Sequence, residues 1–392
     1  MSAVTAGETN PTAWRAEIRE WLEANLPKDL IGPQKTVAPS ELLQRRRAWE
    51  RILYDGGYAA IHWPEEYGGR GMDAAHRMIF QEEYERASAP PRLNIQGLML
   101  VGPTLMQHGT PDQRERWLEP ILRCEQVWCQ GFSEPEAGSD LASLRTSARV
   151  DGDRYIINGQ KIWTSGATYA DWMFALVRTN PDAPKHRGIS AVLIDMRSPG
   201  IVVRPIRQIN GRGTFSEVFF DNVEVPLENT IGQMGDGWNV AMGALLLERG
   251  IGRRSYVKYL PLLQTLRRLT IAAGSDDDSA TLEELGLHVM QVSKYRHHVG
   301  RTIAESTNGR FGPEASLNKL FWSEMEAGIY ETGMKLHALA SAAGAEDEQS
   351  DDYPLWEADY WHSRATRIFA GSNQIQRNII AERVLGMPKE KR

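Results

Sequence analysis

Glu248 stands on a stretch that offers it no charge partner. If Gly237 to Arg249 is helical, its neighbours three and four positions away are Leu245, Ala244, Ile251 and Gly252, so one carboxylate faces apolar and small groups. Burying it there is costly and raises its pKa, which suits a general base working near neutrality. Gly250 and Gly252 would each cost a helix about 1 kcal/mol, and they leave space beside Glu248 for a substrate. Two further stretches carry chemistry of another kind. Phe132 to Asp140 reads FSEPEAGSD and Asn158 to Gly166 reads NGQKIWTSG. Small residues, hydroxyls and one bare indole are spaced so that two loops could close on a flat ring. Taken singly, each has a plainer reading: Glu248 as a surface glutamate, Trp163 as a half-buried strand aromatic, Ser139 as a turn or cap before Asp140.

Three textures follow one another and must position these groups. Up to Cys124 the apolar residues recur at helix spacing (Trp14, Ile18, Trp21, Leu22; later Met78, Phe80, Tyr84), broken by Pro and Gly clusters. From Val127 to about Gln233 short β-branched and aromatic runs read as strands, at 154–157, 172–177, 189–194 and 218–220. Asn158-Gly159, between two such runs, reads as a hairpin turn. Helices return from Trp238 and persist to Leu385. The acidic runs at 274–279 and 346–352 read as solvated connections.

The 392 residues allow two or three packing units. A net charge of −6 argues against a nucleic-acid binder, and no apolar run has the length of a membrane span. Met1 to Thr12 lacks the basic and apolar regions of a secretory signal. Cys124 and Cys129 are the only cysteines, too few and wrongly spaced for a zinc site or a disulfide framework, so no metal and a reduced, cytoplasmic setting are expected. No G-x-G-x-x-G follows a strand, which disfavours a nicotinamide site.

The two motifs, together with FAGSNQIQR at 369–377, resemble the acyl-CoA dehydrogenase family from about Trp14 to Lys389. The resemblance implies an α+β fold: an N-terminal helical domain (1–124), a central β-domain (125–234) and a C-terminal four-helix bundle (235–392). It implies FAD between the β-domain and the bundle, with Phe132 and Ser133 at the pyrimidine end of the ring, Trp163 against it, and Thr164 and Ser165 approaching N5. Ser372 and Gln374 would meet the ribityl-phosphate part. Ser139 would contact the pantetheine arm of the acyl-CoA and Arg249 the CoA side of the same cleft. The implied reaction is α,β-desaturation, with electrons leaving to an electron-transfer flavoprotein from a homotetramer or an α2β2 heterotetramer.

Two departures from the family pattern matter. In most of the family the base sits where this chain has Ala370, which alone predicts an inactive subunit. Glu248 aligns with the helix that carries the base in the isovaleryl-CoA and long-chain members, and the backbone N–H of Ala370 can still donate to the thioester carbonyl. The family's Arg-x-x-Phe-Gly segment is also missing: the region reads Leu266-Arg267-Arg268-Leu269-Thr270. Either Arg267 or Arg268 substitutes, or another subunit supplies the arginine, as in the heteromeric steroid- and sterol-degrading branch. A base on this helix resembles enzymes for branched or long acyl chains, and the missing segment tilts the reading toward a bulky, steroid-derived one. The rivals are a non-catalytic subunit completing a partner's flavin site, and a flavin oxidase or monooxygenase of the same fold.

Overall fold

The computed structural model describes residues 10–32, 37–249, 255–305, 312–344 and 353–389, with the side chains of 246–249 and 353–355 outside that set. The acidic run at 346–352 and the Gly250 and Gly252 positions lie outside the described residues.

Residues up to 122 are helical. Pro11–Asn25 (α1) starts on Asn10, whose side chain accepts the Thr12 N–H at 2.8 Å. Its buried face of Trp14, Ile18 and Leu22 meets Trp49 and Leu53 of Pro39–Asp55 (α2) and Phe80 and Tyr84 of Ala74–Arg86 (α3). A π-helical turn, Gly97–Val101, runs into Gly102–His108 (α4), followed by Pro111–Leu122 (α5). Thr110 and Gln113 form a capping box at the start of α5. The Gln113 amide also donates to the carbonyls of Glu228 at 2.7 Å and Thr230 at 2.8 Å, which joins this domain to the next.

The central sheet has eight strands: Trp128–Gly131 (β1), Ser147–Asp151 (β2), Arg154–Ser165 (β3), Trp172–Arg178 (β4), Ile189–Asp195 (β5), Ile201–Ile206 (β6), Phe215–Pro226 (β7) and Thr230–Ile231 (β8). Their order is β6-β7-β3-β2-β4-β5-β8, with β1 parallel to β4. Strands β4 and β5 are buried along almost their whole length, as their unbroken apolar runs require. The expected strands all fall inside observed ones; the expected turn does not. Asn158-Gly159 lies inside β3, and the reversal between β2 and β3 is at Gly152 (φ +62°). Gly159 is needed for a different reason. At φ +147° a Cβ there would stand 2.7 Å from Cα of Thr146, the residue before β2, so only glycine lets the chain entering β2 lie this close to β3.

Gly237–Arg249 (α6) opens the C-terminal part and buries Val240, Ala241 and Ala244 in the core shared by the helical domain and the sheet. A Cβ on Gly237 would lie 2.4 Å from the Ser190 carbonyl carbon, so the helix starts directly on β5. Leu260–Ala272 (α7), Ser279–Glu305 (α8), Ala315–Ala342 (α9) and Tyr353–Thr366 (α10) form the bundle around Tyr259, Leu266, Val292, Tyr295, Ile329 and Trp356. Asn373–Ile379 (α11) follows. In the acidic run before α8, Asp278 is more than a solvated charge: it accepts the N–H of Thr281 at 2.8 Å and its hydroxyl at 2.7 Å.

Candidate functional site

The two motifs are tied together by a buried ion pair. Chain leaving β1 passes through Phe132, Ser133 and Glu134 alongside β3, where the Ile162 N–H donates to the Ser133 carbonyl at 2.9 Å. Lys161 Nζ donates to Glu134 Oε1 at 2.7 Å and to the Phe132 carbonyl at 3.3 Å. The lysine side chain has no solvent exposure and the glutamate retains 8%. Glu134 also accepts the backbone N–H of Arg145 at 2.6 Å and of Thr146 at 2.9 Å. Burial alone would push its carboxyl pKa up, but Lys161 and these donors outweigh it and hold the group ionised. Burial pushes the Lys161 ammonium down to about 8 against the pull of Glu134.

Just beyond this anchor β3 bulges. Its register against β7 shifts between Lys161 and Thr164, and Trp163 takes a left-handed backbone, φ +61°, an outlying conformation for a bulky residue. The indole is thrown outward. Trp163 is 56% exposed, with an edge-on ring contact to Phe215 at 6.2 Å, and not the half-buried strand aromatic that its type alone suggests. Ser165 is exposed and Ser133 half-buried. Phe132 is buried, packed edge-on against Phe174 at 5.1 Å. Thr164 faces the other way: its side chain is buried and its Oγ1 has no hydrogen-bond partner among the described residues. Its hydroxyl is therefore not displayed on the surface that carries Trp163 and Ser165.

The loop between α10 and α11 is strained in a similar way. Ala370 has φ +54° and Gly371 φ +81°. Gln376 holds this turn by donating its side-chain amide to the carbonyls of Ala370 at 3.1 Å and Gly371 at 3.2 Å. The Ala370 N–H has no backbone acceptor among the described residues. Ser372 caps α11 through the Ile375 N–H at 3.4 Å, and Gln374 is exposed. Asn373 is buried; it accepts from Lys319 Nζ at 2.6 Å and from Ser323 Oγ at 3.1 Å, and donates to Glu324 at 2.7 Å. Burial pushes Lys319 down to about 8, with Glu324 opposing.

Glu248 and Arg249 are the last two residues of α6, and their side chains lie outside the described residues. Ser255, where description resumes, docks its N–H and hydroxyl on the carboxylate of Glu85 in α3. Ser139 is exposed beside Asp140, which accepts from Lys185 Nζ at 3.3 Å and from Ser143.

Glu134, Lys161, Gln376, Lys319 and Asn373 are the positioning residues that reading the motifs for hydroxyls and an indole passes over. For Lys161 the signal is a cation in the same alternate phase of its strand as the apolar Tyr155 and Ile157. The residues fit a flat, hydrogen-bonding cofactor: one surface offers a bare aromatic with hydroxyls beside it, and a strained loop offers a free N–H. Among the described residues no cluster of His, Cys, Asp or Glu could hold a metal ion, and no helix is long and apolar enough to cross a membrane.

Comparison with known proteins agrees along the whole chain. Family models match in three consecutive pieces: acyl-CoA dehydrogenase N-terminal domain at 11–125, middle domain at 129–223 and C-terminal domain at 235–385. The acyl-CoA dehydrogenase IpdE1 of Mycolicibacterium smegmatis is 39% identical over 391 residues, spanning 96% of this chain and 98% of that protein. The ChsE4-ChsE5 complex of Mycobacterium tuberculosis has a chain of TM-score 0.82 at 28% identity, covering 99% of this chain and 100% of that one. A structure titled Tcur3481-Tcur3483 steroid ACAD gives TM-score 0.82 at 27% identity, over 97% and 99% of the two chains.

Proposed function

This chain belongs to the acyl-CoA dehydrogenase family, and from that premise we propose that it binds FAD and desaturates the α,β bond of an acyl-CoA whose acyl part is bulky, branched or steroid-derived. Membership makes it an oxidoreductase acting on CH–CH groups. The observation that carries the cofactor reading is the exposed Trp163 on its bulge, flanked by Ser165 and anchored by the Lys161–Glu134 pair. An exposed indole held in a strained backbone is maintained at a cost, which a stacked ring would repay.

When bound, FAD supplies the acceptor for the hydride that leaves Cβ. Trp163 would lie against its ring system, with Ser133 and Ser165 as fixed polar neighbours and Ser372 and Gln374 toward its ribityl-phosphate part. The Ala370 N–H, on the turn that Gln376 holds, would donate to the thioester carbonyl and acidify the Cα–H, at no reorganisation cost during the reaction. Glu248 would remove that proton. Ser139 and Arg249 would hold the CoA portion. An electron-transfer flavoprotein is the proposed electron acceptor, from a tetrameric enzyme.

The steroid-derived reading is supported by the likeness to chains of the ChsE4-ChsE5 complex and of the structure titled as a steroid ACAD. A second reading is favoured by one observation. Arg267 and Arg268 both lie exposed on α7, where a neighbouring chain can meet them, yet no Arg-x-x-Phe-Gly segment follows. The chain would then share its flavin site with a different subunit in an α2β2 enzyme.

The visible spectrum of the purified chain, before and after anaerobic addition of a panel of acyl-CoA thioesters, tests both. Bound flavin bleached by a bulky thioester is the expected result. A protein that holds flavin and is bleached by none of them overturns the dehydrogenase reading. Stoichiometric FAD in a homotetramer overturns the shared-site reading.

A further inference from the structure

Among the described residues, helix α8 is covered on one side only. Its buried face of His288, Val292, Tyr295, Val299 and Thr302 packs into the bundle. Leu282, Leu287, Val289 and Met290 stand on its outer side, each between 46% and 54% exposed. Single exposed leucines need no explanation, whereas four large apolar side chains within nine residues of one helix mark a surface that another molecule covers. Small residues keep the middle of that surface low. Gly286, Ser293 and Gly300 follow one another at intervals of seven, all exposed, and a Cβ on either glycine would meet nothing within 4 Å. A second helix can therefore lie close along α8.

The two halves of α8 are complementary to each other. The N-terminal half combines the apolar side chains with acids: Glu283 is exposed, and the exposed Asp276 and Asp277 precede the helix. The C-terminal half presents Lys294, His297 and Arg301, which with Leu317, Leu320 and Phe321 of α9 line an open groove of about 500 Å³. His298, in the same lining, stacks on Phe321 with ring centroids 6.0 Å apart. Arg301 has Glu305 at 3.3 Å, an exposed pair that contributes little in water. One half thus offers apolar side chains and acids, and the other an apolar groove edged by cations. Glu283 and Arg301 are about 27 Å apart along the helix, so one molecule cannot bring its own two halves together.

Resting on the tetrameric reading above and sharpening it, we propose that α8 is an isologous contact between two copies of this chain, packed antiparallel across a twofold axis. Turning the second helix end for end sets its Leu287 and Met290 over the groove and its Glu283 opposite Arg301. The axis then passes midway between those two positions, beside Ser293. A parallel arrangement would set acid against acid and cation against cation, with the helix dipoles aligned. Two copies of this chain therefore meet directly through α8, whether the flavin site is shared with a like or an unlike subunit.

The test uses the full chain, with its partner subunit if it retains one, and reads mass by light scattering and cross-linking at one introduced thiol. Cys124 and Cys129 are buried, so the thiol of Ser293→Cys is the accessible one. On oxidation Ser293→Cys should give a band of two copies of this chain, and Val202→Cys, exposed on the edge strand β6, should give none. Leu287→Asp with Met290→Asp should halve the mass of the assembly and leave the helical circular dichroism unchanged, since both side chains lie on the surface of the single chain. Arg301→Glu should weaken association by at least ~10-fold, and adding Glu283→Arg should restore it. An assembly whose mass the Leu287 and Met290 changes leave intact, or Ser293→Cys that forms no like-with-like band, overturns the proposal and leaves the tetrameric reading standing. An Arg301→Glu defect that Glu283→Arg does not repair overturns the antiparallel register. A wild-type chain that stays monomeric at micromolar concentration, alone and with its partner, overturns the tetrameric reading as well.

Discussion

Lys161 Nζ and Glu134 Oε1 stand 2.7 Å apart with the lysine wholly out of water, joining the two loops that carry Ser133 and Trp163. Neither residue is placed to touch a ligand. Their contribution is to fix where β1 ends relative to the bulge of β3, so that a ring meets its contacts in one geometry and not in several.

Removing one member should therefore cost more than removing both. Lys161→Met leaves the Glu134 carboxylate buried and unpaired, with an expected loss of about 3–5 kcal/mol and release of flavin. The double variant Lys161→Met, Glu134→Gln should recover part of that stability. Thermal melts and the flavin absorbance of the three proteins decide it; a double variant no better than Lys161→Met alone would sink the pairing argument.

The same pair sets an acid limit. The carboxyl of Glu134 is held below its usual 4.5 in the folded protein, so the unfolded chain takes up its proton first as pH falls. Stability from this group is full above the unfolded value and is lost as pH drops through the lower folded one. Melting temperature should fall below about pH 4.5, and Glu134→Gln should flatten that part of the profile. An unchanged slope in the variant would place the acid sensitivity elsewhere.

Glu248→Gln should keep flavin and thioester binding and lose at least ~100-fold in rate, the scale of a general base. Turnover close to wild type would rule Glu248 out as the base.

Gln376→Leu removes both hydrogen bonds that set the Ala370 turn, at a cost of about 1–3 kcal/mol in stability. A donor that drifts from the thioester carbonyl should lower kcat by roughly 10–100-fold, somewhat less than outright loss of such a donor. A lower melting temperature with kcat unchanged would make Gln376 a structural residue only.

Much of the fold is readable from local pattern. Trp14, Ile18 and Leu22 are the buried face of α1, and the runs at 172–177 and 189–194 are the two most buried strands. What local pattern missed has a common cause, since each case depends on a partner far along the chain. Asn158-Gly159 looks like a turn because glycine tolerates positive φ, whereas its role is to admit Thr146, the residue before β2. Trp163 looks half-buried until the bulge against β7 turns it outward. The strain at Ala370 is invisible in an alanine, which ordinarily avoids the left-handed region.

The ties between the helical domain and the sheet have an effect on how the molecule comes apart. Gln113 clasps Glu228 and Thr230, Arg47 meets Asp171 at 3.0 Å, and the fully buried Asn94 bridges the carbonyls of Ile121 and Gln126 to the Trp128 N–H. From the bundle, by contrast, the described hydrogen bonds to the sheet are those joining Asn210 to Ala358 at 3.5 Å and Arg212 to Asp359 at 3.0 Å. The seam between the first two domains should thus be more resistant to local opening than the seam between bundle and sheet, while Met78 of α3 in the bundle core and Glu85 on Ser255 keep the bundle tied to the helical domain. Amide exchange would then run faster along the bundle's sheet-facing side than in the seam around Asn94.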